Sequence, residues 1–192
     1  MGTASDAVYE ENRLDGKASN EAYRALTVTR CSPHIGAEIG NIDLTRPLTD
    51  LELAELKRAF TENLVLFFRD QKISFDDHAR LGEYFGPVGS HVGKQTHSMQ
   101  VDDPRVRRVH FDADSQDGIM GNAWHTDQSC APVPPLGSIL DMHTIPSNSG
   151  GDTLFASMYA AYDALSDRMK NYLEGLTALL DGVRLFGDGT PR

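Results

Sequence analysis

At 192 residues, 40% of them hydrophobic, the chain is long enough to bury a substantial core, and its composition calls for no more than one globular unit. A formal net charge of -10 argues against nucleic-acid or anionic-membrane partners, and the longest strongly apolar run, Leu64-Val65-Leu66-Phe67-Phe68, is too short to span a bilayer. Cys31 and Cys130 are far apart and form no CxxC pair, so neither a zinc site nor a disulfide framework is indicated; with no signal-peptide h-region, the chain is read as cytoplasmic with reduced thiols.

Residues 1–24 are polar and aperiodic and read as an N-terminal arm, leaving 25–192 as part of one domain. The β-rich ALTVTRC from Ala25 to Cys31 predicts a strand, and Pro33, Gly36 and Gly40 punctuate a turn before a short second one. A loop over Asn41–Pro47 follows. Thr49 with Glu52 three residues on forms a capping-box pattern, and Leu53, Leu56, Phe60 and Leu64 recur at helical spacing, so a helix is expected over Asp50–Asn63. The LVLFF run behind it predicts a buried strand. Ser74 with Asp77 opens a second helix, whose apolar face of Leu81, Tyr84 and Phe85 stops at Gly86-Pro87.

Beyond Gly89 the chain is irregular up to Gln100 and carries His91 and His97. Strands are expected over Val106–Phe111, Ala123–Asp127 and Leu136–His143, the last alternating Leu136, Ser138, Leu140 and Met142 against the residues between them. An acidic loop, Asp112–Gly121, separates the first two. Gly150-Gly151 breaks the chain before a further short strand and helices over Ser157–Ala164 and Ser166–Leu179.

The residues that bear chemistry centre on Trp124-His125-Thr126-Asp127. On an extended strand, residues two apart project to one face, so His125 and Asp127 would offer an imidazole nitrogen and a carboxylate oxygen to one point. One His and one carboxylate, completed by a second His, make the facial triad of non-haem Fe(II) oxygenases. A bare HxD also arises by chance, as a solvent-facing His beside an Asp. Trp124 is explained by packing, and His34, His78, His97, His110 and His143 by structural or solvated roles.

The longer run WHTDQSCAPVPPLGSILDMHTIPSNSGGDTLFASMYAAYDAL resembles the taurine dioxygenase-like TauD/TfdA family, with its WHTD, PP-G and GGDT motifs. Upstream, PHIGAEIGNIDLTRPLTD and LVLFFRDQKIS extend the resemblance over Leu26–Leu180. It implies a mainly β fold with flanking helices (α+β), a double-stranded β-helix or jelly roll, using Fe(II), 2-oxoglutarate as cosubstrate and molecular oxygen. By the same resemblance His125 and Asp127 match the first two iron ligands, and Thr153 the hydroxyl that binds a 2-oxoglutarate carboxylate. His91 matches a position that helps bind a sulfonate head group, and Asn122 a substrate-pocket position. Without the family, Thr153 is a β-former, His91 a solvated loop residue and Asn122 a turn former.

The resemblance points to a small anionic substrate, taurine or a related sulfonate with release of sulfite. An alkyl sulfate or a phenoxyacetate-like carboxylate is the alternative with the same chemistry, and assembly as a homo-oligomer is left open. In the family the third iron ligand, a His, and an Arg for the far 2-oxoglutarate carboxylate lie well beyond GGDT. Here no His follows His143, and Arg168, Arg184 and Arg192 stand in no matching motif. The late strands are therefore expected to be missing from this chain, and a catalytically incompetent fragment lacking the third ligand is the alternative of a different class.

Overall fold

The computed structural model describes residues 22–89, 106, 108–109, 123–147 and 150–182, so His91 and Asn122 lie outside the described residues. The described residues fall into two compact units. One holds those up to Lys72 together with Asp152–Asp167, the other those from Ile73 to Gly151 and from Arg168 onward.

In the first unit the β-branched run Thr27–Arg30 forms β1, which pairs antiparallel with β2, Ala37–Gly40, in the register Thr27↔Gly40 to Arg30↔Ala37. The turn between them needs Gly36, whose φ of 91° lies in the left-handed region and which approaches the Phe67 ring closely. Along β2, Ala37 and Ile39 are buried while Glu38 between them is exposed, the period-two alternation of a half-buried strand.

A crossover helix, α1 (Asp50–Asn63), then leads to β3 (Leu66–Phe67), which pairs parallel with β2 through Ala37↔Leu66 and Glu38↔Phe67. The capping box of α1 forms in full. Thr49 Oγ accepts from the Glu52 N–H at 3.3 Å, and Glu52 Oε2 accepts from the Thr49 N–H at 2.8 Å. The Arg46 guanidinium, 2.6 Å from Glu52, and the Thr49 N–H hold the Glu52 carboxyl down at about 2.

The core consists of Leu26, Ala37, Ile39, Leu44, Leu56 and Ala59, with Leu56 and Ala59 wholly buried. Burying the Leu56 side chain stabilises the fold by about 2–3 kcal/mol. Three polar residues of α1, Glu52, Glu55 and Asn63, are buried too. Asn63 donates to the Ala59 carbonyl at 2.9 Å and accepts from Arg30 Nε at 3.1 Å. Glu55 accepts the backbone N–H groups of Arg24, Ala25 and Leu26 at 2.8, 2.9 and 3.0 Å. Burial raises the Glu55 carboxyl, and those three donors outweigh it and hold the group below its ordinary value. The arm's last residues are thus fastened to α1, with Tyr23 Oη also donating to Glu62 at 2.8 Å.

In the second unit α2 (Phe75–Glu83) starts at its own capping box. Asp77 Oδ2 accepts from the Ser74 N–H at 2.9 Å and hydroxyl at 2.7 Å. These bonds, with Arg80 at 2.7 Å, hold Asp77 at about 2. Two short helices follow the Gly150-Gly151 break, α3 (Met158–Asp163), capped by Ser157, and α4 (Asp167–Leu173).

Several expectations change. Ala123–Asp127, Leu136–His143 and the stretch after Gly151 form no strand, and Val106, Arg108 and Val109 are not in one either. Alternation prepares two faces, but a strand also needs a neighbour for its backbone groups, and no ladder reaches these described residues. Leu136, Leu140 and Met142 stand at the surface. Helix α4 ends at Leu173, not Leu179, because Gly175, with φ of 78°, takes up the left-handed conformation that terminates helices. Helix therefore outweighs strand among the described residues, which form a small mixed sheet, with strands of four, four and two residues, flanked by helices. No described helix is long and apolar enough to cross a membrane.

Candidate metal centre

His125 and Asp127 lie on irregular backbone in the second unit, with Asp127 at the start of a turn closed by the Ala131 N–H donating to the Gln128 carbonyl at 2.9 Å. Their side chains nevertheless converge: His125 Nε2 is 3.2 Å from Asp127 Oδ1. The pairing forms without a strand, on irregular backbone that leads into a turn where Gln128 takes a left-handed φ of 47°.

The remaining atoms of both groups are engaged. His125 Nδ1 is 2.8 Å from the Ala123 carbonyl oxygen. A carbonyl only accepts, so Nδ1 carries the hydrogen, and in the neutral ring Nε2 then presents a lone pair. That lone pair faces a carboxylate oxygen. Two acceptors do not attract each other, and a metal ion held between them would satisfy both. Asp127 Oδ2, the other oxygen, accepts the Ser138 hydroxyl at 2.6 Å.

The donor set suits a divalent ion. Two donors each ~2.1 Å from one ion and at right angles lie ~3.0 Å apart, close to the spacing of Nε2 and Oδ1. Both side chains are about half exposed, at 54% and 52%. Among the described residues no third His, Cys, Asp or Glu joins them.

Thr153 lies in the first unit, exposed and on irregular backbone, so its β-former reading does not hold. Two residues near the pair carry no motif of their own in the sequence: Ser138 reads as one member of an alternating strand and His78 as a helical His. The signal for Ser138 was present: it is the polar member of the face Leu136, Ser138, Leu140, Met142. His78 Nε2 lies 3.1 Å from the Ile139 carbonyl oxygen. A similar pair, His143 Nε2 and Asp141 Oδ2 at 3.3 Å, lies further along, with the imidazole 75% exposed.

The family model described as taurine catabolism dioxygenase TauD, TfdA family matches residues 27–187. The chain belongs to the TauD/TfdA family. Among its TauD/TfdA relatives is the alpha-ketoglutarate-dependent dioxygenase cnsP of Penicillium expansum, 36% identical over 88% of this chain and 47% of its own length. Another is the alpha-ketoglutarate-dependent sulfonate dioxygenase of Saccharomyces cerevisiae, 31% identical over 85% of this chain and 42% of that protein. The solved structure of a taurine dioxygenase from Burkholderia xenovorans superposes with a TM-score of 0.63 at 30% identity, covering 79% of this chain and 52% of that one. The chain spans about half the length of the curated TauD/TfdA relatives it matches.

Proposed function

We propose that this chain carries the metal-binding pair and a cosubstrate contact of an Fe(II)- and 2-oxoglutarate-dependent dioxygenase that hydroxylates a small anionic substrate, a sulfonate such as taurine. The observation that carries this reading is the His125–Asp127 pair, with Nδ1 committed to a carbonyl and Nε2 turned to a carboxylate oxygen 3.2 Å away. His125 Nε2 and Asp127 Oδ1 would hold the iron, as two members of a facial triad. The Thr153 hydroxyl would donate a hydrogen bond to a 2-oxoglutarate carboxylate. Bound there, Fe(II) and 2-oxoglutarate supply oxygen activation coupled to decarboxylation to succinate, which delivers a hydroxyl to a substrate C–H.

The chain's own residues fix the ligands. The Ala123 carbonyl holds the Nδ1 proton and so keeps the Nε2 lone pair available, while the half-exposed pair leaves room for substrate and cosubstrate. His91 is assigned to the substrate's anionic head and Asn122 to the wall of the substrate pocket, and the surrounding architecture to the double-stranded β-helix of the family. Support for a sulfonate comes from the names of the yeast and Burkholderia relatives. Free Cys31 and Cys130 accord with a reducing cytoplasm.

Incubation with Fe(II), 2-oxoglutarate, oxygen and taurine tests the proposal, with succinate and sulfite both measured. Equal amounts of the two are expected where a third ligand completes the site, and neither product from the chain by itself supports the incompetent-fragment alternative. Succinate without sulfite moves the substrate to the alkyl sulfate or phenoxyacetate class, and failure of the chain to bind a divalent metal rejects the dioxygenase reading.

A further inference from the structure

We infer that Ser138 is a positioning residue for the Asp127 carboxylate, and that His78 on α2 holds Ser138 in place through the Ile139 carbonyl. The inference rests on the metal-binding reading above. A carboxylate on irregular, half-exposed backbone has two free torsions, yet as a metal ligand it must keep one oxygen aimed at the ion. The Ser138 hydroxyl removes that freedom. At 2.6 Å from Oδ2 its hydrogen bond falls in the short range of an O–H donor to a charged carboxylate, and it leaves Oδ1 as the oxygen facing His125.

Ser138 itself belongs to no strand, so something else must fix it. The adjoining residue supplies the anchor twice. Ile139 offers its carbonyl to His78 Nε2 at 3.1 Å, and its side chain reaches Gly82, where an added Cβ would stand 3.9 Å from Ile139 Cδ1. His78 and Gly82 are four residues apart on one face of α2, whose N-terminus is secured by its capping box. The path from a capped helix to the metal-facing oxygen therefore runs His78, Ile139, Ser138, Asp127. The Ser138 residue is exposed, so exchanging its hydroxyl for hydrogen leaves the core untouched.

Mn(II) binding to the full chain, followed by electron paramagnetic resonance, tests this in the wild type and in Asp127→Ala, Ser138→Ala, Ser138→Thr, His78→Leu and His78→Gln. Ser138→Ala should weaken Mn(II) binding by about 10–100-fold at unchanged Tm, the usual effect of removing a partner that orients a ligand. Ser138→Thr, which keeps the hydroxyl, should bind as the wild type does. His78→Leu should weaken binding, and His78→Gln, whose amide N–H can replace Nε2, should restore it. If Ser138→Ala binds Mn(II) like the wild type while Asp127→Ala does not bind, the positioning role is overturned and the metal site stands. Wild-type affinity in Asp127→Ala, or no binding by the wild type, overturns the metal site and this inference together. A Tm loss in Ser138→Ala that Ser138→Thr does not repair shows a merely structural role and also overturns the inference.

Discussion

The imidazole of His125 and the carboxylate of Asp127 meet edge to edge, Nε2 to Oδ1 at 3.2 Å, with the opposite imidazole nitrogen held by a backbone carbonyl two residues earlier. In the neutral ring the contact joins two acceptors, an arrangement that a bound cation would satisfy. Asp127→Asn removes the negative charge with little change of shape. It should lower divalent-metal affinity about tenfold or more, in line with the preference of these sites for an anionic oxygen ligand, while the half-exposed position leaves Tm unchanged. Calorimetric titration with Mn(II), alongside a thermal melt, measures both.

Glu52 ties part of the acid stability to the start of α1. Its carboxyl sits at about 2 in the folded chain against an ordinary 4.5, because the Arg46 guanidinium and the Thr49 N–H favour the charged form. A depressed folded value means that the contribution is complete above the unfolded value of 4.5 and is lost as pH falls through about 2. Glu52→Gln should be less stable than wild type at pH 7 and should lose less stability between those limits. Acid titration followed by helical circular dichroism checks this; an equally steep acid loss in the variant would mean that Glu52 does not set it.

Leu56 and Leu51 lie on the same helix with opposite surroundings, the first fully buried and the second 39% exposed. Leu56→Ala should cost about 2–5 kcal/mol through lost transfer energy and the cavity left behind. Leu51→Ala should cost about 1 kcal/mol or less. Urea unfolding of the two variants compares them directly, and equal losses would argue that α1 packs through a different face.

Gly36 and Gly175 both hold left-handed backbone, at φ 91° and 78°, but differ in what surrounds them. A Cβ on Gly36 would meet the Phe67 ring at 3.4 Å, whereas one on Gly175 meets open space. Gly175→Ala should therefore cost only the backbone strain, of order 1 kcal/mol, and Gly36→Ala that strain plus any displacement of Phe67. Thermal melts should rank Gly36→Ala as the less stable, and the reverse order would point to a looser β1–β2 turn.

The sequence was most legible where local chemistry decides the outcome. Thr49, Glu52 and the apolar spacing from Leu53 define α1 at both ends as found, and Ser74 with Asp77 starts α2 in the same way. Val28 and Ile39, flanked by turn residues, likewise mark β1 and β2. It was least legible where structure depends on distant partners. Leu136–His143 alternates like a strand, yet a backbone ladder is made by two segments and cannot be read from one. The same limit applies to the candidate site. His125 and Asp127 are visible as a motif, but the support from Ser138 and His78 depends on contacts that link residues 11 and 61 positions apart.

Glu55 gathers three successive amide hydrogens just before the first strand begins. The helix thereby acts as a mechanical clamp on the incoming polypeptide. Tension applied ahead of Tyr23, by a fusion partner or an optical-trap handle, would load the Tyr23–Glu62 bond and then that carboxylate, and reach the strand pairing only after both let go.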